Sequence, residues 1–232
     1  DEVIETLVTD LDGIYVDCTL GFAGHSSAIL EKISKQGFLI GLDLDPYALN
    51  KAKEKLEKIG NKRFSLHHAS YQEFPNILSK LGIDKVNGFL FDLGISSYQI
   101  DSEHRGFSYM KEGPLDMRFN PKGGKTAKDV LSEISETELM NILQTYAEIS
   151  QAGKIAKKII YERNKKNMNT TSDLKQAIFS ATNQNCSNKI LSRIFQAIRI
   201  LVNDEIQTFK KTLLQTPNYL VAGGRVCVIS FH

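Results

Sequence analysis

Strand and helix signals alternate through the first hundred residues, and that alternation leaves few folds open. Residues 14–18 form a short apolar run ending in a Gly-rich turn, 25–34 have a helical period, and 38–43 form a second apolar run. Asp45-Pro46 opens the next helix, with Asp as N-cap and a Pro whose fixed φ suits the first helical position. Leu49, Ala52 and Leu56 share one face of that helix, with lysines on the other. Residues 64–68 read as a third strand, Ser70-Tyr71-Gln72-Glu73 as a capping box opening a third helix, and 86–93 as a fourth strand. Apolar strands joined through helices predict βαβ units and a mainly parallel, doubly wound α/β sheet.

The pattern changes after Asp101. Residues 101–125, rich in Gly, Pro, Asp and Arg, predict a long loop. From Thr126 to about Leu214 every strong period is helical: Leu139, Ile142, Leu143 and Tyr146 share one face, and Ile194, Ile198, Leu201, Phe209 and Leu213 continue as one long final helix. Gly223-Gly224 is expected to stop that helix, and 225–231 to form one more buried strand. The expected division is a discontinuous α/β domain over 1–107 and 197–232, interrupted by an all-helical domain over 108–196.

Composition removes other classes. The chain has 232 residues, 41% hydrophobic and 24% charged, a globular balance with enough length for a core. No apolar run approaches the roughly 20 residues that span a bilayer, so no membrane partner is expected. Residues 1–12 lack the basic n-region of a signal peptide. Cys18, Cys186 and Cys227 fit neither a disulfide framework nor a zinc site, which points to a cytoplasmic location. No His/Cys/Asp cluster has metal-ligand spacing, and no metal is expected. The net charge of +2 leaves any nucleic-acid signal to the placement of charges.

The first strand runs into Asp17-Cys18-Thr19-Leu20-Gly21-Phe22-Ala23-Gly24-His25. A strand, a tight Gly turn and a helix N-terminus form a nucleotide-binding arrangement, because backbone approaches the ligand closely and free N–H groups face it. Asp43, 19 residues after Gly24, ends the next strand, where a carboxylate can accept both ribose hydroxyls. The plain alternative is a βα turn beside a solvated Asp. A dinucleotide site wants three glycines, and here only Gly21 and Gly24 are present; a P-loop Gly-Lys-Ser/Thr is missing. An acid before the turn and few glycines favour S-adenosylmethionine, whose ammonium Asp17 can attract directly or through water.

Asp92 sits at the carboxyl end of the fourth strand, within Phe91-Asp92-Leu93-Gly94-Ile95-Ser96-Ser97. Open α/β sheets hold their chemistry at such ends. An acid and turn carbonyls there can accept the hydrogens of a target amine and align its nitrogen with a methyl donor. Equally, Asp92 can cap the loop or bind the cofactor.

Six segments carry a family likeness: DCTLGFAGHS (17–26), GLDLDP (41–46), FDLGISSYQ (91–99), RGFSYMKEGPLDMR (105–118), FQAIRILVNDE (195–205) and GGRVCVISFH (223–232). The chain resembles the bacterial small-subunit rRNA cytidine-N4 methyltransferases, the RsmH or MraW family. The resemblance covers nearly the whole chain and implies a class I, Rossmann-like methyltransferase domain with a helical insert. It implies S-adenosylmethionine as methyl donor, and as acceptor the exocyclic N4 of a cytidine in the decoding region of 16S rRNA, with no DNA partner. Carried over by residue, cofactor contacts fall on Ala23, Gly24, His25, Asp43, Tyr71, Asp92 and Gln99, with Asp92 also catalytic. Tyr71 stands where the family usually has Phe, Ala23 where it has Gly, and Tyr98 where it has Pro. The family's N-terminal His-x-Pro-Val segment and the Ser-Leu-Glu-Asp-Arg stretch after its last strand lie outside this sequence. Two rivals are a nicotinamide-dependent oxidoreductase on the same turn and a non-catalytic RNA-binding assembly factor.

On the substrate side, Lys154, Lys157, Lys158, Arg163, Lys165 and Lys166 accompany a single acid, Glu162, along a helix with Ile155, Ile159 and Ile160 on its apolar face. The expectation is that these charges point outward, either to grip phosphates or simply to be solvated. Arg105, Lys111 and Arg118 are further candidates for RNA contact, and Asp116 for pairing with Arg118 or ordering the loop. Phe107 and Tyr109 are candidates for stacking on a flipped cytosine, with core packing the stronger expectation for Phe107. His67 and His68 read as structural, and His104 and His232 stay open.

Overall fold

A computed structural model describes residues 2–60, 62–182 and 186–230. The chain divides into two compact units, Asp1–Gly94 with Gln207–His232, and Ile95–Ile206. These boundaries lie outside the expected 107/108 and 196/197, because Phe107, Ala197 and Ile198 are buried in the helical unit's core.

The first unit is built on five parallel strands: β1 (Ile14–Asp17), β2 (Phe38–Asp43), β3 (Phe64–His68), β4 (Val86–Leu93) and β5 (Leu220–Ser230). Their order is β3-β2-β1-β4-β5. Helices α1 (Glu2–Leu7), α2 (Gly24–Lys32), α3 (Pro46–Gly60) and α4 (Phe74–Leu81) complete its first part. The strand side chains alternate between two cores. Tyr15, Leu39 and Leu90 pack with Ile29, Leu30, Ala52 and Leu56. Val16, Ile40, Phe89 and Phe91 pack on the other face with Phe74, Ile77 and Leu78. Burial on both faces is why β1, β2 and most of β4 read as near-continuous apolar runs, whereas the edge strands β3 and β5 hold no fully buried residue, so the last strand is not the buried one expected.

The helical unit contains α5 (Ser97–Asp101), α6 (Ala127–Glu133), α7 (Glu136–Ala147), α8 (Ala152–Lys165), α9 (Thr171–Ala181) and α10 (Asn188–Asn203). Capping boxes start α6, α7 and α9 at Thr126, Ser135 and Thr170. Leu139, Leu143, Ile155, Ile159, Leu174, Ile178, Ile194 and Ile198 form its core.

Two expectations fail at the end of the chain. The single long final helix is two helices, α10 and α11 (Glu205–Gln215), separated by Asp204 in the left-handed region at φ 47°. The break is held by Asn203, whose carboxamide donates to the carbonyls of Met117 and Arg199 and accepts from the Phe119 N–H. Gly223-Gly224 does not stop a helix: α11 ends at Gln215, a 3₁₀ turn spans Thr216–Tyr219, and both glycines lie inside β5. The ladder advances from Leu220 to Arg225 while β4 advances only from Val86 to Gly88. Gly223, at φ +81°, absorbs this bulge, and a Cβ on Gly224 would lie 3.1 Å from the Asn87 carbonyl oxygen.

Candidate functional site

The chain leaves β1 towards β2 and β3 on one side, whereas β4 and β5 lie on the other. The crevice at the carboxyl ends of β1 and β4 is therefore a topological switch point, where open α/β sheets bind ligands. Between β1 and α2 the turn bends through Gly21 at φ +50° and Ala23 at φ 55°, ψ 44°. An alanine in this left-handed region costs on the order of 1 kcal/mol. The turn is tied down: the Ala23 N–H donates to the Leu20 carbonyl, and the Ala23 carbonyl accepts from the Ser27 N–H and hydroxyl and from Lys55. At Gly24 an added Cβ would meet nothing within 4 Å, so open space adjoins the first helical turn.

Three carboxylates end three neighbouring strands. Asp43 accepts the Gly21 N–H at 2.7 Å on Oδ2 and the Asp45 N–H at 2.8 Å on Oδ1. Burial pushes its carboxyl above the ordinary value. With roughly four lone-pair sites on a carboxylate, acceptor capacity remains for a ligand diol. Asp17 is buried, and both its oxygens are engaged, by the Thr19 N–H at 3.1 Å and the Ser26 hydroxyl at 2.6 Å. Burial raises its pKa from 3.8 to about 6. Buried in this way, its side chain shapes the turn rather than facing open space. Asp92 is more open: its N–H donates to Thr19 Oγ1 at 2.7 Å, and its Oδ2 lies 3.6 Å from His25 Nε2. Thr19 and Ser26, absent from the sequence-based set, are what fix Asp92 and Asp17. Thr19 follows the strand-ending acid by two residues and Ser26 sits in the first turn of α2, which is the only signal that marks them.

Tyr71, in the 3₁₀ turn after β3, meets Phe91 edge-on at 5.7 Å between ring centres. The first unit therefore carries Ala23, Gly24, His25, Asp43, Tyr71 and Asp92 on the strand ends and following turns of one sheet. Gln99 belongs to the helical unit, where it is buried and its Oε1 accepts the Ser96 N–H at 3.0 Å as part of the capping box that starts α5.

The donor set fits S-adenosylmethionine. The turn itself holds no Lys or Arg, and three carboxylates oppose a pyrophosphate while favouring a sulfonium and an ammonium. The model of the MraW methylase family matches residues 1–232. The chain belongs to the MraW methylase family. Among its relatives, the ribosomal RNA small subunit methyltransferase H of Caldicellulosiruptor saccharolyticus is 44% identical over 233 residues, covering all of this chain and 75% of that protein. The protein of the same name from Clostridium botulinum is 42% identical over 234 residues, with the same coverage.

Within this MraW chain several candidates for RNA contact have partners inside the protein. Arg105 is buried, and its guanidinium donates to the carbonyls of Arg118 and Phe119 at 2.9 and 3.0 Å. Arg118 makes a two-point pair with Asp116, at 2.8 and 2.7 Å, while the Asp116 carboxylate also accepts the Arg118 N–H. Lys111 donates to the Asp101 carbonyl at 2.7 Å. Long-loop sequences need such staples, since a loop has no ladder to satisfy its carbonyls. Phe107 is buried and stacks on Phe119, and Tyr109 meets Phe195 edge-on at 5.9 Å. On α8, Arg163 turns inward and caps the carbonyls of Leu131 and Ile134. Lys158 pairs with Glu162, and Lys166 with Asp173. Lys154, Lys157 and Lys165 are exposed.

His67 and His68 have partners close by on and beside the sheet. His67 Nε2 lies 3.0 Å from Ser65 Oγ and His68 Nε2 3.0 Å from the Leu44 carbonyl. His104 is exposed on a 3₁₀ turn, and His232 lies outside the described residues. Among the described residues no His/Cys/Asp/Glu group is arranged to hold a metal, and no helix is long and apolar enough to cross a membrane.

Proposed function

We propose that this chain transfers a methyl group from S-adenosylmethionine to the exocyclic N4 of a cytidine in the decoding region of 16S rRNA. The observation that carries the reading is the placing of Asp17, Asp43 and Asp92 at the carboxyl ends of β1, β2 and β4, around a turn whose own residues include no Lys or Arg, in a chain of this family. When bound, S-adenosylmethionine supplies an electrophilic methyl and departs as S-adenosylhomocysteine.

Asp43 holds the ribose hydroxyls, using the acceptor sites left by Gly21 and Asp45. The open backbone at Ala23, Gly24 and His25 accommodates the amino-acid part, and Tyr71 lies beside the adenine. Gln99, on α5, is a cofactor contact only by the family likeness. Asp92 and the carbonyls after it accept the amine hydrogens. That matters because the cytosine N4 lone pair is delocalised into the ring, and an acceptor draws the nitrogen towards a tetrahedral, nucleophilic geometry. Alignment then supplies much of the rate. The proton released from N4 passes to solvent. No covalent cysteine is needed, since attack at nitrogen requires no activation of a ring carbon, and Cys18 is buried in the turn just after β1. The helical unit, 95–206 in this structure with the 108–196 segment at its centre, recognises the RNA. The chain works in the cytoplasm.

The test is methyl transfer from labelled S-adenosylmethionine to unmodified small ribosomal subunits, followed by digestion to nucleosides. Label in N4-methylcytidine, or in its 2′-O-methylated form, is the expected result. Cofactor binding without any labelled nucleoside would favour the non-catalytic assembly factor.

A further inference from the structure

α8 presents two unlike faces. Ile155, Ala156 and Ile159 are buried in the helical core, and Arg163, at i+8 from Ile155, falls on the same side. Lys154, Lys158, Tyr161 and Lys165 follow at i, i+4, i+7 and i+11, which is one stripe on the opposite side of the helix. Tyr161 is 50% exposed in the middle of that stripe. The Lys158 ammonium lies 4.9 Å from the centre of its ring and the Lys165 ammonium 4.3 Å. Lys157 is exposed beside them.

A face that serves only solubility needs charge alone. An aromatic ring among cations adds a flat apolar surface, and ring plus cations is the combination that binds single-stranded nucleic acid: bases stack on the ring and cations track the backbone. We propose that Tyr161 is a stacking platform for an unpaired base of the RNA substrate, with Lys158 and Lys165 taking the phosphates that flank it. The proposal rests on RNA being the substrate and deepens that reading. The base must be unpaired, because a ring on a helix surface reaches a base face only where the nucleotide has left its stack; in an RNA duplex the faces are covered and the major groove is deep and narrow. Without RNA both ammonium groups rest against the ring and Lys158 also pairs with Glu162 at 2.7 Å, surface contacts that are individually weak. With RNA the base takes the ring and the ammonium groups turn to phosphates.

The chain has no tryptophan, so Tyr161→Trp makes position 161 the sole indole. Its fluorescence is followed on titrating the full chain with a 12-nucleotide unpaired RNA and with a duplex of the same sequence, while anisotropy of a dye on the RNA reports total binding. The expected result is quenching by the unpaired RNA and much less by the duplex. Tyr161→Leu should weaken binding of the unpaired RNA about five- to hundredfold with an unchanged salt slope, since stacking releases no counterions, and Tyr161→Phe should restore it. Binding by anisotropy with an unquenched indole and an indifferent Tyr161→Leu overturns the platform and leaves the RNA reading standing. Failure of the unaltered chain to bind either RNA, with methyl transfer to small subunits intact, overturns the platform as well. Loss of both binding and transfer sinks the substrate reading itself.

Discussion

His25 Nε2 stands 3.6 Å from Asp92 Oδ2, linking the first turn of α2 to the end of β4. The first turn of α2, which follows β1, thus lies beside the end of β4 at the switch point. Thr19 Oγ1, accepting the Asp92 N–H, adds a second tie from the same turn. Asp92→Ala is expected to reduce methyl transfer by far more than tenfold, measured as labelled N4-methylcytidine. Activity within tenfold of the unaltered chain would remove the acid from the centre of the chemistry.

Asp43 is expected to carry the ribose. Hydrogen bonds to a charged group contribute roughly 1.5–3 kcal/mol each. Asp43→Ala should therefore weaken S-adenosylmethionine binding by about tenfold or more in calorimetry. An unchanged dissociation constant would refute the assignment.

Asp17 makes stability depend on pH in a definite direction. Its carboxyl titrates near 3.8 when unfolded and at about 6 in the folded chain, raised by burial. The folded state therefore holds its proton more tightly. The stabilisation is fully present below about pH 4 and is lost as pH rises through about 6, an effect of about 3 kcal/mol. Asp17→Asn cannot titrate, so the fall between pH 4 and 6 should flatten in urea unfolding series. A profile identical to that of the unaltered chain would show that the Asp17 proton does not couple to folding.

Much of the sheet is legible in the sequence because parallel strands buried on both faces are continuous apolar runs with turn residues at their ends. β1, β2 and β4 follow from that; β3, an edge strand with no fully buried residue, is marked only by its place between two helices. The last does not, because a Gly-Gly pair serves equally as a helix stop and as a bulge, and only the ladder against β4 decides between them. The helical period likewise runs unbroken through Asp204, whose left-handed backbone is a local event held by Asn203. In the site, Asp43 and Asp92 are legible from their places at strand ends. Ser26 and Thr19 are not, because a lone hydroxyl gains its role only from the acid it meets across the turn. Arg163 is the exception to the outward expectation for α8: at i+4 from Ile159 it lies on the buried side, where the Leu131 and Ile134 carbonyls take its guanidinium, and its charge hides that placement in the sequence.

That division of α8 separates two kinds of basic residue. Lys157, Lys158 and Lys165 lie on its outer side, whereas Arg163 caps the end of α6 through the Leu131 and Ile134 carbonyls. Replacing the three lysines by Glu should weaken RNA binding and lower the salt slope by about one for each phosphate left without its cation. Global stability should change little, because exposed charges and surface pairs contribute about 0–1 kcal/mol. Arg163→Ala should do the reverse. It orphans two carbonyls and should cost about 1–3 kcal/mol of stability, read as a lower urea midpoint, while the salt slope of the remaining folded protein stays as it was. If the lysine variant binds RNA with an unaltered slope, the outer stripe is a solvated face and the RNA is held elsewhere.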